Sequence, residues 1–231
     1  MADWPEYELE RLSGALLRVD LYEQRYLAVG EYPNVVNHLL RSASAACLSD
    51  REDEALRLVQ RSARRVEEWM AAVRDGSAKL ASLGDLACTR GFLSVAASPG
   101  PNAVDAARGL LALTQSAPSG SVQNARLVAA AILGDIEAVE SAAKGCELSD
   151  AGLGLPLRKF VVALFGNDEV AMKKMIFTWL QEKMEATMTH EWGAYNEVPI
   201  EVSGALALAE RRGRTILIKS NRVLTRFRAD A

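Results

Sequence analysis

The sequence predicts an all-α protein: stacked antiparallel αα-hairpins, a degenerate helical repeat, closed by a short C-terminal β-like segment. Three observations carry that prediction. Apolar residues recur at three- and four-residue intervals along most of the 231 residues. Alanine and leucine, which favour helix over strand, supply much of the 49% hydrophobic content. Short turns of the Gly-Asp or Gly-Asn kind break the apolar stripes and are followed by acidic residues, the pattern of one helix ending and the next beginning.

Taken in order, Val35, Val36, Leu39, Leu40, Ala43 and Cys47 form one helical stripe, and Leu56, Val59, Ala63, Val66, Met70 and Val73 form the next. Between them Ser49 and Glu52 have the spacing of a capping box, in which a hydroxyl and a carboxylate satisfy backbone donors at a new helix start. This segment reads as a helical hairpin. Leu83-Gly84-Asp85 fits either a turn or a helix interior, and "SPGPN" at 98–102 and "SAPSGS" at 116–121 read as loops. "ARLVAAAILGDIEAVESAAKG" then runs a helix into Leu133-Gly134-Asp135 and restarts at Ile136. "LPLRKFVVALFGNDEVAMKKMIFTWL" does the same through Phe165-Gly166-Asn167, restarting at Asp168-Glu169-Val170. In both, the glycine is expected to end the first helix in the left-handed region, with Asp or Asn capping the second. Gly134 and Gly166 stand 32 residues apart, the period of paired-helix repeats, although the tetratricopeptide consensus is missing. Pro156 suits a helix start after the glycine-rich loop "AGLGL". Gly213 stops the last helix, and Ile216, Leu217 and Ile218 follow as a short extended run. One all-helical domain over 1–231 is the simplest division, with 1–97 and 101–231 as lobes. Trp69, Phe177 and Trp179 fall on helical apolar positions and are expected in the core. Cys47, Cys88 and Cys146 are odd in number and far apart, which fits buried thiols in a reducing compartment.

Several chemistries are expected to be absent. A net charge of −3 is opposite to what counterion displacement on nucleic acid needs. The start, "MADWPEYELE", is acidic and has no apolar h-region, so neither a secretory signal nor a membrane anchor is expected and a cytoplasmic location is. "HEWGAYNE" opens like a zinc-protease motif, but Ala194 stands four residues after His190 where the second ligand belongs. The only other histidine is His38. "GLGLPL" at 152–157 has Leu157 in place of the third glycine of a dinucleotide loop. Cys47 beside His38 reads as packing and not as a nucleophile. The acidic groups Glu67-Glu68, Glu52-Asp53-Glu54 and Asp168-Glu169 could in principle supply acid–base chemistry, and solvated helix faces and first-turn capping explain them at least as well. No catalytic residue, metal or cofactor is expected, and the protein is read as not an enzyme.

The last third carries a resemblance. A polar segment with aromatics, "HEWGAYNEVP", precedes the helix "IEVSGALALAERRG" and then "RTILIKSNRVLTRF". With Leu206, Ala209, Arg212, Gly213, Ile216, Ile218 and Ser220 carrying the match, this resembles the helical immunity proteins of bacterial polymorphic-toxin systems, particularly the immunity-49 group. Asn221-Arg222-Val223 stands where that group often has a proline. The resemblance implies a cytoplasmic antidote that binds a cognate toxin and occludes it without chemistry of its own. The exposed acidic turns at Asp135, Glu137, Asp168 and Glu169, with Trp192 and Tyr195, are the expected contacts. Set against it is a helical-repeat scaffold that binds a peptide or partner domain in a groove. An exposed apolar stripe would equally suit a homodimer.

Overall fold

The structure, a computed structural model, describes residues 14, 16–49, 51–84, 86–98, 102–115, 122–146, 154–188 and 200–217, with backbone alone at 48, 154, 182–188 and 200. The protein is all-α. Its helices are α1 (Val19–Ala28), α2 (Tyr32–Leu48), α3 (Glu52–Asp75), α4 (Leu86–Ala97), α5 (Asn102–Leu113), α6 (Gln123–Leu133), α7 (Ile136–Gly145), α8 (Gly154–Phe165), α9 (Glu169–Met188) and α10 (Ile200–Arg211), with a 3₁₀ turn at Leu80–Gly84 before α4.

A helix without a polar face has to be covered all round, and α4 and α10 are the two such helices here. In α4 every residue from Ala87 to Ala97 is buried except Arg90, and in α10 residues Glu201 to Ala209 are all buried. They pack on each other and, between them, on α2, α3, α5, α6, α8 and α9. Around this pair, sequence neighbours pack together: α1 on α2, α2 on α3, α5 on α6, α6 on α7 and α8 on α9. The apolar core is continuous from Leu16 to Ile216.

The contacts along the pair fix its direction. Arg90, in the first half of α4, donates through Nε to Glu201 Oε1 at 2.8 Å at the start of α10. At the other end Arg211 donates to the carbonyl oxygens of Ala96 and Ser98, each at 2.8 Å. The two helices therefore run parallel, and a guanidinium at the end of α10 satisfies carbonyls that the end of α4 leaves open. Midway, Gly204 lies against Leu93. A Cβ on Gly204 would come 2.6 Å from Leu93 Cβ and 2.8 Å from its carbonyl oxygen. On another side of α4, a Cβ on Gly91 would come 2.2 Å from Val66 Cγ2 of α3. Two glycine notches thus let α3 and α10 close onto α4.

Three local expectations change. Ser49 does not cap α3: its hydroxyl donates to Ala45 O at 3.0 Å, closing α2, and Arg51 stands at the N-cap, its side chain paired with Glu54 and capping no backbone N–H. Glu52, Asp53 and Glu54 supply the first-turn acids instead. Of the "AGLGL" loop, Gly154 and Leu155 already belong to α8, with Pro156 in its first turn and Leu157 fully buried. Phe177 is 58% exposed, whereas Trp69 and Trp179 are buried. Arg214–Leu217, the described part of the expected β-like run, is non-helical and pairs into no strand, with Ile216 buried and Leu217 exposed. Ile218 and Ser220 lie outside the described residues.

Replacing Gly204 by Ala is expected to destabilise the fold by about 1–3 kcal/mol, because the methyl meets backbone that cannot swing away. Gly109→Ala in α5 is the control, since its Cβ meets only the Arg74 side chain at 3.5 Å. It should be neutral or gain up to about 1 kcal/mol from helix propensity. Thermal denaturation separates the two, at roughly 2–4 °C per kcal/mol for a chain of this size.

Candidate partner-binding surface

The two repeated turns share one mechanism. At the first, Gly134 takes φ +73°, Asp135 N bonds back to Ala130 O at 3.2 Å, and Asp135 Oδ1 accepts Ala138 N at 3.0 Å. At the second, Asn167 takes φ +58°, Asp168 N bonds to Ala163 O at 2.9 Å, and Asp168 Oδ1 accepts Ala171 N at 2.9 Å. Each is a left-handed stop followed by an aspartate N-cap. The left-handed residue of the second turn is Asn167 and not Gly166, so the equivalent positions are Asp135 and Asp168, 33 residues apart. Asparagine tolerates this region better than most side chains, which is why the glycine one place earlier misleads.

Both turns meet the end of α10. Gly213 takes φ +69°, and Arg214 N bonds to Ala209 O at 2.9 Å, a third turn of the same kind. The Arg212 guanidinium stacks 4.1 Å above the Phe165 ring, and a Cβ on Gly134 would sit 2.9 Å from its Nη1. Gly134 is thus required for its positive φ, and the Arg212 guanidinium lies in the space its missing side chain leaves. Arg214 Nη2 donates to Asn167 Oδ1 at 2.5 Å. One helix end therefore brings together turns that lie in different hairpins.

The edge so formed carries Asp135, Glu137, Asp168 and Glu169, all exposed. Ile136 and Val170, each next to these acids in a first helical turn, are 56% and 78% exposed. Lys173, which bonds Glu169 at 2.5 Å, holds that carboxyl below the usual range, and the field of Arg214 adds to the effect. Arg212 and Arg214 lie at the same edge and Lys173 pairs with Glu169, so the edge is mixed in charge rather than simply acidic. Trp192, Tyr195 and His190 lie outside the described residues. The arginines are what the sequence reading missed as organisers. Their only linear signal is their place flanking a helix-stopping glycine, which says nothing of turns 47 residues away.

Elsewhere the ionisable groups have structural settings. His38 is half-buried with the Tyr22 ring edge-on at 4.9 Å, and burial, then Arg41, pushes its pKa down. Burial pushes the Cys47 thiol up to about 12 and Cys146 up to about 11, so both stay protonated and weakly nucleophilic near neutrality. Burial and then Glu68 raise Glu67, while Glu68 itself pairs with Arg65. Among the described residues no three His, Cys, Asp or Glu side chains converge as a metal site would need, and no helix is long and apolar enough to cross a membrane. The chain matches no family model, and comparison with curated proteins and with solved structures found no match.

Asp135→Ala and Asp168→Ala should each cost about 1 kcal/mol in urea denaturation, while the Asn variants keep the cap and the stability. For His38 the folded pKa lies below 6.5, so the unfolded chain takes up the proton first as pH falls. Its contribution is complete above about pH 6.5 and declines below it towards the lowered folded value. A His38→Gln variant should flatten that part of the stability–pH curve.

Proposed function

We propose that this protein is an immunity protein: it binds a cognate bacterial toxin and neutralises it by occlusion, as a cytoplasmic antidote with no chemistry of its own. The observation that carries this reading is the edge where α10 gathers the two aspartate-capped turns. It offers a partner exposed carboxylates around exposed Ile136 and Val170, the combination of steering charge and apolar anchor that protein interfaces use. The residues behind the family resemblance supply support of a second kind. Leu206, Ala209 and Ile216 are buried, Arg212 lies across Gly134 and Phe165, and Gly213 makes the left-handed stop. They are the residues that hold this edge in shape.

The complementary surface on the toxin would be basic around an apolar centre, such as the substrate face of a nuclease. Trp192 and Tyr195 remain proposed contacts on their residue chemistry, since aromatic side chains often anchor such complexes.

The test is co-purification with the product of the adjacent gene, together with growth when both are expressed. Stable binding with loss of toxicity is expected. Binding without protection would favour the helical scaffold, and a neighbour that neither binds nor loses toxicity overturns the proposal. Within a confirmed pair, Glu137→Lys combined with Glu169→Lys should slow association by at least about tenfold at low salt. Measurement at two salt concentrations checks this, because a steering effect shrinks with screening.

A further inference from the structure

We infer that α1 is a strap: it is latched to α3 by a buried carboxylate and opens as a unit ahead of the rest of the fold. Of its ten residues only Val19 and Glu23 are buried. Leu21 on α1, with Leu17 before it and Val29 after it, is left largely exposed, at 65%, 87% and 67% respectively. The backbone of α1 packs mainly on α2, and side chains tie it to α3.

That tie is unusual in this molecule. Glu23, 1% exposed, accepts from Arg65 Nε at 2.7 Å on one oxygen and from Arg61 Nη2 on the other. Arg61 also bonds Asp20 Oδ1 at 2.7 Å, and Arg65 also pairs with Glu68. Two guanidinium groups four residues apart on α3 thus close on a single carboxylate. Such a pair fixes where α1 lies, but the attraction is largely offset by the water that all three groups give up. When α1 lifts, Glu23, Arg61 and Arg65 regain that water, which offsets part of the loss of packing at Val19, Tyr26 and Leu27. The strap is therefore specific in position and inexpensive to open. Opening would uncover the apolar floor under Val19 and an arginine pair spaced to grip a carboxylate.

Hydrogen exchange read by mass spectrometry on the full chain tests this. Amides of 19–28 are expected to exchange about 100-fold faster than those of 86–97, by a sub-global opening whose denaturant dependence is smaller than that of α4. Glu23→Gln keeps the shape and removes the charge, and should speed exchange of α1 by about tenfold more while leaving α4 unchanged. Equal protection of α1 and α4 in the native protein overturns the inference, as does a Glu23→Gln effect spread over both helices. If Glu23→Gln does not fold, Asp20→Asn at the exposed side of the same network takes its place. A faster α1 alone supports the strap, and an unchanged or global response refutes it.

Discussion

The structure depends on one close approach, that of α10 to α4 at Gly204 and Leu93. The two helices are more than 100 residues apart in sequence and run parallel, and α10 lacks a side chain where Leu93 of α4 meets it. Parallel neighbours set like dipole ends side by side, an arrangement that antiparallel hairpins avoid. Here the cost is offset at both ends, by Glu201 in the first turn of α10 and by Arg211 at the open carbonyls of α4. The close approach also sets the position of everything beyond it. If α10 were held farther from α4, its end could not place Arg212 over Gly134 and Phe165 or Arg214 at Asn167.

What the sequence made legible follows from what periodicity measures. A stripe of apolar residues reports which face of a helix is covered, so Val35, Val36, Leu39, Leu40 and Ala43, and Val59, Ala63, Val66 and Met70, are all buried as expected. The aspartate caps were legible too, because an N-cap is a local interaction over three residues. Ser49 had the spacing of a cap and failed as one because α3 begins two places too late for its hydroxyl to reach. Phe177 was misread because α9 is apolar on more than one side, so spacing cannot say which side meets the core. The parallel pairing of α4 and α10 was beyond reach. Composition does show that "LACTRGFLSVAA" has almost no polar face and must be covered, but not by what.

The candidate surface was legible in its parts and not in its assembly. Each acidic turn is a local signal, yet their meeting depends on side chains from a third, distant turn. The assembly changes the chemistry as well. A net charge of −3 suggests an acidic binding surface only in outline, whereas the edge itself also carries Arg212, Arg214 and the Lys173–Glu169 pair. Recognition there would rest on the order of charges around Ile136 and Val170, a more selective property than net charge.

Two of the ion-pair systems of the molecule sit at opposite ends of the same physical scale. At the turn edge the acids are solvated, so each contact is weak, screened and free to be exchanged for a partner's contact. At α1 the carboxylate of Glu23 is shielded from water, so its bonds to Arg61 and Arg65 are individually strong but have been formed at the expense of hydration. The first arrangement suits meeting another protein, because little desolvation has been spent in advance. The second suits holding a helix in one register without binding it firmly. Burial, rather than the residue types involved, is what separates the two uses: both are built from the same carboxylates and guanidinium groups.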